Sequence, residues 1–340
     1  MEENKLLRIE NLKTSFRIND QYYAAVDDVT LDVRKNEVLG IVGESGSGKS
    51  ALAFSIMGLH PKLNSKIEGH IYYKGDDIAG ASERKMQKLR GGDLGMIFQD
   101  PMSALNPLHR VGDQISETLY LHTSLNQQER KKKVIDLLNQ VGIPRPETVY
   151  SQYPHELSGG MRQRIVIAIA IACDPTFLIA DEPTTALDVT IQAQILDLIR
   201  KLKNELDSGI ILITHDLGVV AEMADRVAVM YAGQVVEIAP VKELFKNPKH
   251  PYTRSLLRSN PTMSQEKSKL HVIQGVVPSL VNLPREGCRF KSRIPWIDES
   301  AHEAQPKLHE VVPGHYVRCT CYQTFDFPGK KEEEIANGIS

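Results

Sequence analysis

The chain has 340 residues, 41% of them hydrophobic and 25% charged, with a formal net charge of -2 and a pI near 6.6. That length holds full cores for about two domains. The near-neutral balance excludes the overall positive field that gathers nucleic acid or an anionic membrane surface, so no nucleic-acid partner is expected.

In chain order, the N-terminal stretch MEENKLLRIENL lacks the basic and apolar regions of a signal peptide, so a cytoplasmic location is expected. The run VLGIVG (38–43) is apolar throughout and reads as a strand buried on both faces, as do TFLIADEP (176–183) and GIILITHD (209–216). Each ends in polar residues, which places chemistry at the carboxyl ends of a parallel sheet, where open α/β folds bind ligands. KSALAFSIMGL and VTIQAQILDLIRKLKNEL follow with helical spacing of apolar residues, and the expected fold class is α/β.

Between LGMIFQD (94–100) and SGGMRQR the periodicity is helical, as in QERKKKVIDLLNQVGI (128–143), and residues 100–158 read as an inserted helical subdomain. Its basic run ERKKK (129–133) is expected to be a solvated helix face. IVIAIAIAC (165–173), the longest apolar stretch, falls well short of the ~18 residues a membrane-spanning helix needs, so membrane contact is expected only through a partner. The core is expected to close near 243–247, after the strand-like pair RVAVMYAG and QVVEIAP. Residues 246–340 carry three of the four cysteines and end in the charged tail PGKKEEEIANGIS, expected to be disordered. They read as an appended module with little regular structure. In a cytoplasmic chain the cysteines are free thiols or metal ligands.

GESGSGKS (43–50) fits the phosphate-binding pattern G-x-x-x-x-G-K-[ST] and lies between a strand and a helix. Gly43, Glu44, Ser45, Gly46, Ser47 and Gly48 would wrap backbone N–H groups around phosphates at a helix N-terminus. Lys49 brings charge to the β- and γ-phosphates, and the Ser50 hydroxyl is placed to ligate magnesium. Such a loop needs an acidic strand end for the metal shell; LIADEP supplies Asp181, with Glu182 just beyond it to polarise an attacking water. His215 ends the third strand, where an imidazole can contact the γ-phosphate. Gln99, at the end of LGMIFQ, can reach the metal or the water. A second cradle, Ser158, Gly159 and Gly160 in HELSGGMRQR, opens another helical run.

GESGSGKS, IFQDP, LSGGMRQR, LIADEP, ALD and ITHD, in that order, resemble the nucleotide-binding subunits of ABC transporters over about the first 245 residues. The resemblance implies a P-loop NTPase fold at 1–245, ATP and Mg2+ as ligands (the metal on Ser50, Gln99 and Asp181), and hydrolysis through Glu182, His215 and Gln99. It accounts for the second cradle: two subunits pair head to tail, and Ser158, Gly159 and Gly160 of one face the ATP held by the other. Asp188, in ALD, is implied to couple the two sites, and Gln99 with the helical subdomain to relay closure to two integral membrane permease subunits. An aromatic residue is implied to stack on adenine. Family spacing points to Phe16, with Tyr22 and Tyr23 as alternatives and simple packing as the other role for Phe16.

NPKHPYT (247–253), GVVPSL (275–280) and GCRF (287–290) are similar to the C-terminal extension of ATPases that import oligopeptides and dipeptides and, in some relatives, nickel or metal chelates. The resemblance implies a peripheral subunit on the cytoplasmic face of the membrane, powering a peptide importer. It implies a homologous second ATPase in a heterodimer, the Met161 form of the signature fitting the first of the pair, and an extracytoplasmic substrate-binding protein acting indirectly. Import of nickel or a chelate is the alternative; a non-transport ABC ATPase on DNA or the ribosome is disfavoured by the short insertion and the single P-loop. Many relatives bind an iron–sulfur cluster through four cysteines of this extension. Here Cys288 and Cys319 match, whereas Ile294 and Ala301 stand at two expected ligand positions. Cys321 with His302, His309 or His315 is a candidate replacement, but such clusters take four thiolates, so no iron–sulfur cluster is expected. Packing through Pro251, Tyr252 and Trp296 is expected to hold the extension instead.

Overall fold

The computed structural model describes residues 5–185, 187–259, 273 and 275–327; the charged C-terminal tail lies outside them. Every residue of β3 (Val38–Val42), β6 (Leu94–Ile97), β7 (Phe177–Asp181) and β8 (Gly209–Ile213) is buried, as strands covered on both faces require. With β9 (Arg226–Tyr231) they pair in parallel in the order β9-β3-β8-β7-β6. Period-2 alternation then divides each strand between two cores. Ile210 and Leu212 join one apolar cluster, while Ile211 and Ile213 join the other.

The second cluster is closed by a sheet that the sequence pattern does not announce. β1 (Lys5–Ile18) and β2 (Gln21–Arg34) form a long antiparallel hairpin, and β4 (Ser65–Tyr73) and β5 (Asp76–Asp77) extend it in the order β2-β1-β4-β5. Register shifts between Ile9 and Ser15 interrupt the alternation that would mark these strands. Helix Lys49–Met57 packs into this core, with Leu52, Ala53, Ile56 and Met57 at most 3% exposed. It has no single apolar stripe because it is covered on most sides.

Helices Gly159–Ala170, Val189–Leu206 and Leu217–Met223 supply the other cluster. So does the helical subdomain, through Val111, Ile115 and Leu119 of helix Val111–His122 and Val134, Leu137 and Leu138 of helix Gln127–Gln140. Asn126 starts the latter with a capping box to Glu129, and Lys131 and Lys132 point to solvent. Among the described residues no helix is long and apolar enough to cross a membrane.

The C-terminal region departs from its expected form. Residues 275–307 are loops and short 3-10 turns, but β11 (Leu308–Val312) and β12 (His315–Arg318) follow as a hairpin, and β12 pairs with β10 (Gln234–Pro240). The main sheet is therefore eight-stranded, in the order β11-β12-β10-β9-β3-β8-β7-β6. Leu283, Cys288, Phe290, Ile294 and Phe325 are buried in the same cluster as the helices. The extension shares the cassette's core and sheet.

Candidate nucleotide site

β3 runs directly into the loop 43–48. A Cβ on Gly43 would lie 2.2 Å from the Met230 carbonyl oxygen, and one on Gly48 (φ 100) 2.6 Å from that of Ala25, so only glycine lets the loop pass between β9 and β2. Gly48 is also the N-cap of helix Lys49–Met57 and offers no side chain to its first N–H groups, which leaves those donors to a ligand. Lys49, 7% exposed, folds over the loop: Nζ donates to the carbonyls of Gly43 (2.7 Å) and Glu44 (3.1 Å). Burial lowers its pKa, against the pull of Glu182, Asp181 and Glu44.

Asp181 ends β7 with its carboxylate almost fully buried. Burial pushes its pKa up despite a hydrogen bond from Ser50, and Oδ1 has no hydrogen-bond partner. An orphaned buried carboxylate oxygen beside a hydroxyl is an unsatisfied position that a divalent cation would fill, so Asp181 and Ser50 fit the expected Mg2+.

Glu182, one residue on, has left-handed backbone (φ 47), and its N–H donates to the Ile213 carbonyl at 2.9 Å. Its Oε2 accepts from Gln99 Nε2 (3.0 Å) and Thr185 Oγ1 (2.8 Å) and lies 3.3 Å from His215 Nδ1. Three strand ends thus converge on one carboxylate. Gln99 serves Glu182 here through its amide. Thr185 is an addition that sequence reasoning missed, although its place three residues after Glu182 in a tight turn was the available signal.

Ser158 N-caps helix Gly159–Ala170, its Oγ accepting from the Met161 N–H at 3.3 Å. Asp188 caps helix Val189–Leu206 through the Ile191 N–H at 3.0 Å. Ser158, Gly159, Gly160 and Asp188 line one cleft of about 490 Å³ whose walls include no residue of the loop 43–50. Phe16 faces Tyr23 across the β1–β2 hairpin and packs edge-on against His60, centroids 5.0 Å apart. Tyr22 is half exposed, and Arg285 lies 5.7 Å from the Tyr23 ring.

The extension reaches the phosphate loop itself. The Glu44 N–H donates to Tyr252 Oη at 2.8 Å, and Arg293 grips the Glu44 carboxylate with both terminal nitrogens, at 2.6 and 3.3 Å. Arg289 donates to the Ala232 carbonyl at 2.5 Å and pairs with Asp27, and Arg285 donates to the Ala24 carbonyl at 3.0 Å. Tyr252 is fully buried, which raises its pKa far above the usual phenol range, and Pro251 is buried with it. Trp296 is partly buried, its Nε1 donating to the Asp326 carbonyl at 3.0 Å. The arginines were visible in REGCRFKSR (285–293), but nothing in that string says where they point. Of the three histidines weighed as metal ligands, only His302 joins the cysteines; His309 pairs with Glu303 and His315 with Glu237.

Residues 26–185 match the family model for ABC transporters, and residues 236–297 that for the oligopeptide/dipeptide transporter C-terminal region. Over 332 residues the chain is 51% identical to the oligopeptide transport ATP-binding protein OppD of Lactococcus lactis subsp. cremoris (strain SK11), covering 97% of this chain and 98% of that protein. The chain belongs to the ATP-binding subunits of ABC transporters, in the oligopeptide/dipeptide branch. The oligopeptide transport ATP-binding protein AppD of Bacillus subtilis (strain 168) is 49% identical over 319 residues, 94% of this chain and 97% of that one. Among solved structures, a dimeric post-hydrolysis ATP-binding cassette bound to ADP and Pi matches with TM-score 0.63 and 26% identity, over 69% of this chain and 98% of that one. CbiO1 of Clostridium perfringens, part of an ABC transporter complex, matches with TM-score 0.61 and 30% identity, over 72% and 92%. This ABC subunit is accordingly an ATPase with the P-loop NTPase fold expected from its motifs.

Proposed function

We propose that this chain is the ATP-hydrolysing subunit of a peptide importer and works as one half of an ATP-sandwich dimer on the cytoplasmic face of the membrane. The observation that carries the catalytic reading is the Glu182 carboxylate, held by Gln99 and Thr185 beside His215, one residue from the orphaned Asp181 oxygen. Glu182 polarises the attacking water, His215 contacts the γ-phosphate, and Lys49 and the glycine-framed N–H groups hold the phosphates. Asp181 and Ser50 would hold Mg2+, which would supply positive charge against the phosphates. Ser158, Gly159 and Gly160 act on ATP held by the other subunit, a reading supported by their separate, exposed cleft and by the dimeric cassette among the structural neighbours. Closure then follows ATP, a ligand shared by two subunits, and opening follows its loss.

The partner is a homologous second ATPase, and the pair docks on two permease subunits fed by an extracytoplasmic binding protein. Exposed Met102 (49%) and Leu108 (82%), just after Gln99 in the helical subdomain, are apolar side chains available to a permease segment. The cassette spans 1–245 and the importer-type extension 246–340, and peptide as cargo rests on the likeness to oligopeptide transport ATP-binding proteins. Glu182→Gln should keep ATP binding and lower turnover by about 100-fold, the usual contribution of a positioned base. Near-wild-type ATPase in the assembled transporter would remove Glu182 from that role. Uptake of labelled peptides by the reconstituted complex tests the cargo; nickel uptake without peptide uptake would replace that reading.

A further inference from the structure

Three cysteines and one histidine of the extension come together from segments distant in sequence: Cys288 after the turn at Gly287, His302 after the 3-10 turn Glu299–Ala301, and Cys319 and Cys321 directly after β12. We infer that these four side chains form a closed site for one tetrahedral metal ion, zinc by its ligand set, in place of the iron–sulfur cluster that many relatives hold in this region.

The spacing decides between the two. The four ligand atoms all lie within 4.8 Å of one another. Tetrahedral zinc with bonds of about 2.3 Å to sulfur sets its ligands roughly 3.8 Å apart. A four-iron cluster spreads its thiolates wider, because each is bound to a different corner of the cage. Ile294, at one of the family's ligand positions, is 1% exposed within the apolar cluster, and Ala301 stands one residue before the histidine that does reach the site. The residues therefore do not fit a four-thiolate cluster.

An independent observation points to a missing occupant. Both ring nitrogens of His302 are buried and have no hydrogen-bond partner, a costly arrangement for an imidazole unless one nitrogen ligates an ion. The backbone is arranged for thiolates: the Phe290 N–H faces Cys288 Sγ, and the Cys321 and Glu303 N–H groups face Cys319 Sγ, the last at 3.5 Å. Cys319 itself has left-handed backbone (φ 69), strain that a non-glycine residue keeps only where its surroundings demand it. Three thiols and a neutral imidazole binding Zn2+ release about three protons and leave one net negative charge on the site. With no open position, the ion would be structural. It would tie the β12 end to the strap that carries Arg293 to the phosphate loop and Arg289 to Ala232 and Asp27.

The test uses the full-length chain grown with ample zinc and iron and purified without oxygen. Elemental analysis should find about one zinc per chain and only traces of iron in a colourless protein. Exchange with cobalt(II) should give thiolate charge-transfer absorption and the intense visible bands of tetrahedral cobalt. His302→Ala should weaken zinc in chelator competition at least as much as the about 10–100-fold loss known for outer-shell partners of metal sites, while His302→Cys should retain the ion. A brown protein with about four irons and acid-labile sulfide, a metal-free protein from this growth, or zinc bound equally well after His302→Ala would each overturn the assignment. Should the variants not fold, the cobalt spectrum of the wild-type chain decides alone. None of these readouts depends on ATP hydrolysis.

Discussion

Glu44 occupies a variable position of the phosphate-binding pattern, yet its main-chain N–H is held by Tyr252 and its carboxylate by Arg293. Arg293 is 7% exposed and Glu44 only partly so; removing the guanidinium would leave a half-buried carboxylate beside the phosphates. Arg293→Ala should therefore lower stability by about 2 kcal/mol, the scale of a charge-assisted hydrogen bond, and raise the KM for ATP several-fold, with Arg293→Lys recovering only part because a single ammonium cannot form the fork. Denaturant melts and ATPase titrations check both. An unchanged KM in a stable Arg293→Ala protein would show that the grip is structural alone. The two kinds of site residue differ in legibility for a physical reason. Gly43, Lys49, Ser50 and Asp181 are written in the sequence because phosphate and metal demand particular groups at particular spacings. Arg293 reaches Glu44 across 249 residues, and its role depends on a fold that no local pattern encodes.

At the scale of elements, the parallel strands were legible because each is an unbroken apolar run, whereas the β1–β2 hairpin is obscured by its own bulges and the β11–β12 hairpin by its short strands, a mostly exposed β11 and a mostly buried β12 that carries His315 and Arg318. What fastens the second hairpin is polar. Glu237 in β10 is fully buried and accepts from the N–H groups of Lys249 (2.7 Å) and His250 (2.9 Å) and pairs with His315 Nε2 (2.7 Å). His250 is buried in turn, with Nδ1 accepting from the Tyr252 N–H, and burial lowers its pKa to about 4. Its folded pKa lies below the unfolded value near 6.5, so between about pH 6.5 and 4 the unfolded chain binds the extra proton. The stability from neutral His250 is thus whole above about pH 6.5 and is lost as pH falls through that window, by roughly 3 kcal/mol in full. Melts from pH 7.5 down to 5 should show this decline, and His250→Asn should flatten it; an identical slope in that variant would assign the decline to other groups.

For the whole molecule, the proposed ATP sandwich makes one chain the holder of two half-sites: the phosphate loop, and the Ser158 and Asp188 cleft, whose lining includes no residue of that loop. Ser158→Arg should impair hydrolysis at the partner's phosphate loop while leaving this chain's own ATP affinity nearly intact, measured by nucleotide binding to the isolated subunit and ATPase of the assembled complex. A loss of ATP affinity in the isolated subunit would contradict the trans arrangement. The motif was readable in sequence, but its pairing across subunits came only from the resemblance to ABC transporters, because a half-site has no complete geometry in one chain. The β11–β12 hairpin has a different consequence. β10 is buried along nearly its whole length, and β12 is what pairs with it on the side away from β9. Cutting the chain after residue 258 would bare a row of unpaired backbone groups flanked by Val235, Val236 and Ile238, the kind of template on which sheets from separate molecules join edge to edge. The intact protein ends its sheet with β11, which is short and displays His309 and Glu310 to water. A truncated cassette should sediment as aggregates at concentrations where the full chain stays dispersed, so the C-terminal region guards solubility quite apart from anything it does at the phosphate loop.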